Sequence, residues 1–246
     1  MSNKVIFNWS GGKDSAMALH QLLQQPEYEV MCLLTSVSEP YQRISMHGVR
    51  TALLETQAQH IGLPLVQMAI PEMPSMEDYE RVMQQTLDGL VAQGADHAAF
   101  GDIFLEDLRA YREQKLELAG LKGLFPLWKQ PTDQLIRRFI DMGFKTIVTC
   151  VNEQYLDKSF AGRVIDHEFL RDLPATVDPC GEYGEFHTFV FDGPIFSRPV
   201  PFTIGETVYR KYTTSAKDDD SGTGTEDKLQ TPYDYGFWYC DLLPVD

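Results

Sequence analysis

Apolar and polar positions along the first hundred residues alternate between two rhythms. VIFNWS (5–10) is a short, mostly apolar run of the kind buried inside a parallel sheet, and YEVMCLLTSV (28–37), LPLVQMAI (63–70) and HAAFGDI (97–103) repeat it. Between these runs the period lengthens to that of a helix. Residues 14–25 place Ala16, Leu19, Leu22 and Leu23 on one side and stop at Pro26. A second helical run covers 49–61 and closes at Gly62. A third starts at Ser75, with Asp78 three residues on in a near capping box, and runs to about Gly94; a fourth covers 105–119. Strands alternating with helices of this length predict an α/β fold, a parallel doubly wound sheet with right-handed crossovers. Ligands bind such sheets beyond the carboxyl ends of the strands, which here means residues 9–15, 36–50, 70–76 and 101–112.

The rhythm persists into the second half and then breaks. Residues 131–142 predict a helix and KTIVTCV (145–151) a strand, but beyond about residue 160 the chain reads as short strands and turns, with proline at 174, 179, 194, 199 and 201. We therefore expect a nucleotide-type domain over 1–124 and a smaller α+β domain over 125–246. KDDDSGTGTEDK (217–228) has no apolar residue and reads as a mobile acidic loop at about 216–229, followed by an aromatic-rich strand in YDYGFWYC (233–240).

Composition narrows the partners. Of 246 residues 43% are hydrophobic and 23% charged, ordinary for a globular protein with a proper core. Twenty-one Lys and Arg against 36 Asp and Glu leave a net charge of −15, which argues against nucleic acid or an anionic membrane as the partner. No apolar run approaches the length of a membrane span, and the N-terminus does not read as a signal peptide. The four cysteines are widely spaced without a C-x-x-C pair, so neither a zinc ribbon nor a disulfide framework is indicated. A cytoplasmic protein is the expectation, with room for a homodimer.

The chemistry concentrates in NWSGGKDSA (8–16). A buried strand ends, two glycines follow, and a helix begins at about Asp14, an arrangement that turns backbone N–H groups and the helix dipole toward an anion. Gly11 and Gly12 let the main chain approach a phosphate, Lys13 adds a point charge, and Ser10 and Ser15 supply hydroxyls. Asp14 is placed to hold a magnesium ion against phosphate oxygens. The segment is not a Walker A loop, because Asp14 follows Gly12-Lys13 and position 7 is Phe. Adjacent glycines also rule out the G-x-G-x-x-G fingerprint. Ser10-x-x-Lys13 lacks the S-D-N and K-T-G partners of penicillin-binding enzymes.

Ser10-Gly11-Gly12-Lys13-Asp14-Ser15 resembles the PP-loop of the N-type ATP pyrophosphatases, whose fold is a HUP-like sheet of the adenine nucleotide alpha hydrolase type. With SMHGVR (45–50), GDI (101–103), the Arg109/Arg112–Glu113 stretch, FPLW (125–128) and above all DPCGEYGEFHTFVFDGP (178–194), the chain resembles the diphthine–ammonia ligase family and its bacterial relatives. The resemblance implies a ligase that uses Mg²⁺ and ATP, gripping the β- and γ-phosphates on residues 10–15 and releasing AMP and pyrophosphate. A carboxylate or carbonyl oxygen is activated in this way for attack by ammonia or an amine. The chain departs from the ligases at His187, where they carry an acidic residue, so the acceptor does not carry over with the ATP half-reaction. A tRNA-modifying PP-loop enzyme and a nucleotide sensor without turnover share the loop; the charge and the missing C-x-x-C pair count against the first, the carboxylate-rich second site against the second.

Other candidates complete the site. His47, beside Gly48 and Arg50, is placed to meet adenosine or an acyl-adenylate, with Arg50 neutralising the α-phosphate. Gly101 and Asp102 end the fourth strand, where the carboxylate would bind a ribose hydroxyl or magnesium, or cap a helix. Arg109 and Arg112 lie three apart and share a helix face, as an anion-pocket wall or as solvated surface. Glu182 and Glu185 would orient ammonia or substrate, one acting as general base, a role open also to His187 with its near-neutral ordinary pKa. Cys180 is an alternative nucleophile. Trp128, His20, His60, His97 and His167 read as structural.

Overall fold

The computed structural model describes residues 2–44, 48–71, 75–211 and 235–245. In the first half, β1 (Asn3–Asn8), β2 (Tyr28–Ser38), β3 (Arg43–Ile44), β4 (Leu65–Ile70), β5 (His97–Ala99) and β6 (Lys122–Leu124) alternate with α1 (Lys13–Leu23), α2 (Thr51–Ile61), α3 (Met76–Ala92) and α4 (Glu106–Leu118). The strands pair in the order β4–β2–β1–β5–β6, all parallel. The two-residue β3 pairs antiparallel with Val37 and Ser38 of β2, whose other edge β4 already holds, so it fills the edge that β1 leaves when it turns into the glycine loop. Central placement explains the apolar run of β1: Val5, Ile6 and Phe7 are fully buried, between layers on both faces.

Local signals work as their chemistry requires. The Ser75 hydroxyl caps α3 by accepting from the Asp78 amide at 3.0 Å, and Gly62 ends α2 at φ +83°. The fourth strand is shorter than its apolar run, stopping at Ala99; Phe100 still donates to the Leu124 carbonyl of β6, and at Gly101 the chain passes the start of α1. There Gly101 allows a close approach: a Cβ on it would lie 2.9 Å from the Asp14 carbonyl carbon and the Ser15 nitrogen.

The second half contains α5 (Thr132–Asp141), α6 (His167–Asp172) and an antiparallel sheet of β7 (Lys145–Asn152), β8 (Phe186–Asp192), β9 (Phe202–Lys211) and β10 (Gly236–Pro244), ordered β8–β7–β10–β9. The short α6 falls where turns were expected; Asp166 caps it by accepting from the Glu168 and Phe169 amides. The acidic loop expected at 216–229 lies outside the described residues.

Two apolar clusters flank the parallel sheet. One, under α3 and α4, includes Ile6, Leu34, Met68, Leu87 and Leu116. The other begins with Phe7, Trp9 and the buried faces of α1 and α2 and runs without a break into Phe139, Val148, Phe169 and Phe189 of the second half. A polar pin crosses this shared core. Gln57, fully buried on α2, accepts from Trp9 Nε1 at 2.9 Å and donates to the Gly11 carbonyl at 3.0 Å and the Val190 carbonyl of β8 at 2.6 Å. Gln57→Leu strands the Trp9 indole N–H and the Val190 carbonyl in an apolar interior, so urea denaturation should show a loss of about 2–4 kcal/mol.

Candidate active site

The loop between β1 and α1 is shaped by what it packs against. Gly11 adopts φ +76°, and a Cβ there would meet Leu54 Cδ2 at 2.7 Å and Gln57 Oε1 at 2.8 Å, so only glycine fits. Gly12 is the N-cap of α1. Two of the amides expected to be free for an anion are already engaged: Gly12 N–H donates to Ser10 Oγ at 3.3 Å and Lys13 N–H to Thr188 Oγ1 of β8 at 3.0 Å. The hydroxyls form a chain in which Ser10 donates to Ser15 at 3.0 Å and Ser15 to the Gly12 carbonyl at 2.9 Å.

Lys13 is 4% exposed, its ammonium 2.7 and 2.8 Å from the Asp14 carboxylate oxygens and 5.7 Å from the centre of the Phe186 ring. Burial works against this charge, but Asp14, Cys180 and Glu182 outweigh it and hold the Lys13 pKa above its ordinary value, so the group stays a cation. Asp14, about a third exposed, faces the opposite balance: burial raises its pKa and Lys13 only partly offsets that.

Above the loop opens a cavity of about 740 Å³. It lies over the carboxyl ends of β1, β2, β4 and β5, as the topology requires. One wall is apolar, with Leu34 and Met68 from the strand ends, Tyr79 and Met83 from α3, and Phe100. The other carries Asp102, Arg112, Glu182 and His187. Asp102 and Arg112 face each other at 2.9 Å, yet Asp102 Oδ2 and Arg112 Nε have no aligned hydrogen-bond partner among the described residues; the guanidinium rests 4.4 Å from the Phe100 ring centre. Burial also raises the Asp102 pKa. Glu182 Oε1 accepts from the Ile103 amide at 3.0 Å, and burial with Asp14 nearby pushes its carboxyl to about 7.

Several expected site residues point elsewhere. Arg50, assigned to the α-phosphate, is bidentate with Asp241 of β10, at 3.2 Å from Nε and 2.6 Å from Nη2. Beside it, the Gly48 N–H is already engaged, donating to the Ile44 carbonyl at 3.1 Å. Arg109 does not share the cavity wall with Arg112: it pairs with Glu113 at 2.8 Å and lies over Phe125 and Trp128, because α4 turns that side chain toward the FPLW segment. Glu185 is 1% exposed, and its two oxygens accept from the Asp178 and Tyr183 amides, so this carboxylate shapes the 178–185 loop instead of serving as a base. His187 lines the cavity but does not titrate near neutrality; burial, with Lys13 adding to it, lowers its pKa to about 4 and leaves a neutral imidazole. The Cys180 thiol is raised by burial and donates to the Thr132 carbonyl, the setting of an unreactive thiol. His47 lies outside the described residues.

Thr188 and Gln57, which fix the loop, were not picked out from the sequence. Thr188 had a legible signal, since it closes the GEFHT segment two positions after a core-facing Phe186; Gln57 is an ordinary helix residue until its neighbours are known.

A family model for the diphthamide synthase N-terminal domain matches residues 3–123, and one for the diphthamide synthase C-terminal domain matches residues 131–214. The chain is 24% identical over 244 residues to the diphthine–ammonia ligase of Schizosaccharomyces pombe, aligning 87% of this chain with 40% of that protein. It is 24% identical over 228 residues to that of Mus musculus, aligning 81% of this chain with 82% of that one. It thus spans less than half the length of the yeast relative. Among solved structures, a predicted subunit of tRNA methyltransferase from Methanocaldococcus jannaschii overlaps 78% of this chain and 98% of its own, at 18% identity and a TM-score of 0.41. The two domain models together span most of the chain, from β1 through β9, and take in both the glycine loop and the 178–194 segment: the chain belongs to the diphthamide synthase family.

Proposed function

We propose that this protein is an ATP-dependent C–N ligase that splits ATP to AMP and pyrophosphate in order to activate a carboxylate for attack by ammonia or an amine. The observation that carries the reading is the buried Lys13 ammonium, paired with Asp14 at the start of α1 and opening on a cavity of about 740 Å³, a size that suits a nucleotide with room beside it. Lys13, Ser10 and Ser15 would bind the β- and γ-phosphates, and the apolar wall of Leu34 and Met68 would take the adenine. Asp14 is a hard oxygen donor suited to Mg²⁺, and Asp102, whose Oδ2 lies 2.9 Å from Arg112 Nε, is a second carboxylate at the cavity. Among the described residues no three metal-ligating side chains converge, so a magnesium ion here would draw most of its oxygens from phosphates and water. When bound it would neutralise phosphate charge.

An acceptor carboxylate oxygen attacks the α-phosphorus as the bond to pyrophosphate breaks. The amine nitrogen then attacks the acyl carbon, and the bond from that carbon to the AMP oxygen breaks. Positioning and charge neutralisation account for most of such catalysis. Glu182 is the base that takes the proton released from nitrogen: its pKa of about 7 leaves an appreciable ionised fraction at neutral pH. His187, a neutral imidazole, hydrogen-bonds the acceptor and takes no proton. The acceptor is a small carboxylate that differs from diphthine, because this position is acidic in the ligases.

Incubation with Mg-ATP and ammonium, with and without a small-molecule extract of the host cell, tests the reading. AMP and pyrophosphate appearing only with extract is the expected result. Intact bound ATP in every condition would make the protein a sensor, and ADP with phosphate would mean that the loop has been misread. Replacing Lys13 and Asp14 together by Ala should lower pyrophosphate release by at least about 10²-fold. At a fixed concentration of free NH₃ the wild-type rate should climb as pH rises through about 7, because Glu182 accepts a proton only once ionised, and Glu182→Gln should abolish that limb in a pH–rate profile. Gly101→Ala, which drives a methyl group into the α1 backbone, should cost about 1–3 kcal/mol in thermal unfolding and weaken ATP binding.

A further inference from the structure

The last described strand reaches from the second sheet back to the rim of the cavity. Asp241 of β10 accepts from Arg43 Nη1 at 2.8 Å as well as from both donors of Arg50. Arg43 opens β3 and Arg50 is the N-cap of α2, and the two form an antiparallel bridge. Arg43 precedes Ile44, a residue of the cavity wall, and its Nη1 also donates to the Gly48 carbonyl at 2.6 Å. Gly48 adopts φ +67°, and a Cβ on it would lie 2.9 Å from the Tyr239 ring of the same strand. One carboxylate therefore gathers the cations in β3 and at the start of α2, and the Tyr239 ring, two residues earlier on the same strand, lies close to Gly48. Asp241 and Tyr239 both lie beyond residue 214, where the match to the family model stops.

We propose that Asp241 is a positioning residue for nucleotide binding. By holding Arg43 and Arg50 together it fixes β3 against the start of α2, and with it Ile44, so that the C-terminal sheet sets the shape of the wall against which ATP packs. Without Asp241 the two guanidinium groups repel, and Arg43 and Arg50 lose their common anchor. Long charge-assisted bidentate contacts are a geometrically demanding way to hold a surface, and that suits a positioning role better than a contribution to bulk stability. The inference rests on the cavity being an ATP site.

Calorimetric titration of Mg-ATP into the full chain tests it, because the stoichiometry reports the folded fraction while Kd reports the shape of the site. Asp241→Asn should weaken binding on the order of ten- to hundredfold with stoichiometry near that of wild type. Asp241→Glu should restore most of the affinity. Arg43→Gln should weaken binding too, and its effect should not add to that of Asp241→Asn. Should Asp241→Asn fail to fold, Arg43→Gln alone supplies the measurement. An unchanged or tighter Kd in these variants, beside a wild type that binds, would overturn the positioning role and leave the ligase reading intact. A wild type that binds no ATP would remove both.

Discussion

The site depends on how the glycine loop is docked against a strand from the other half of the chain. The Gly11 carbonyl accepts from the Val190 amide at 2.9 Å and from Gln57, and the Lys13 amide is held by Thr188. A glycine loop left to itself samples many conformations. Here β8 supplies the fixed edge on which the loop is laid, and Gln57 locks the joint from beneath. The parallel sheet provides the strand, the helix and the opening above them; the antiparallel sheet chooses which conformation the loop keeps. The two halves share one apolar core because the loop must be braced from both sides.

Electrostatics in the cavity differ from those of the surface. Lys13 and Arg112 face it together with the carboxylates of Asp14, Asp102 and Glu182. Burial then separates the ionisable groups by function. It raises Glu182 to about 7 and lowers His187 to about 4, so two of the side chains that the sequence offered as bases part company: one titrates near neutrality and the other stays a neutral imidazole.

Wherever a feature depends on near neighbours in sequence, it was legible. The buried run of β1, the Ser75 cap, the Gly62 stop and the glycine loop each follow from a few adjacent residues, and the family resemblance rested on segments of that kind. The helix α6 and the three-residue β6 were not legible, since neither is long enough to display a period. Side-chain destinations were harder still. Arg109 and Arg112 share a helix face in the sequence, but one turn of α4 separates a guanidinium over Phe100 from one over Phe125 and Trp128. Glu182 and Glu185 look equivalent until the loop closes and turns one carboxylate onto its own amides. Arg50 could not be removed from the anion site without knowing that Asp241, nearly two hundred residues away, reaches it.

Strand order in the second sheet has a kinetic corollary. β9 pairs with β10 and, among the described strands, with no other, while β10 also pairs with β7. During synthesis β9 therefore emerges with nowhere to bond and waits for a strand about 25 residues further along the chain. Contacts so distant in sequence form late. The glycine loop and the parallel sheet can assemble early, but Arg43 and Arg50 acquire Asp241 as their partner only when β10 slots between β7 and β9. A nascent chain can thus form the glycine loop well before β10 brings Asp241 to Arg43 and Arg50.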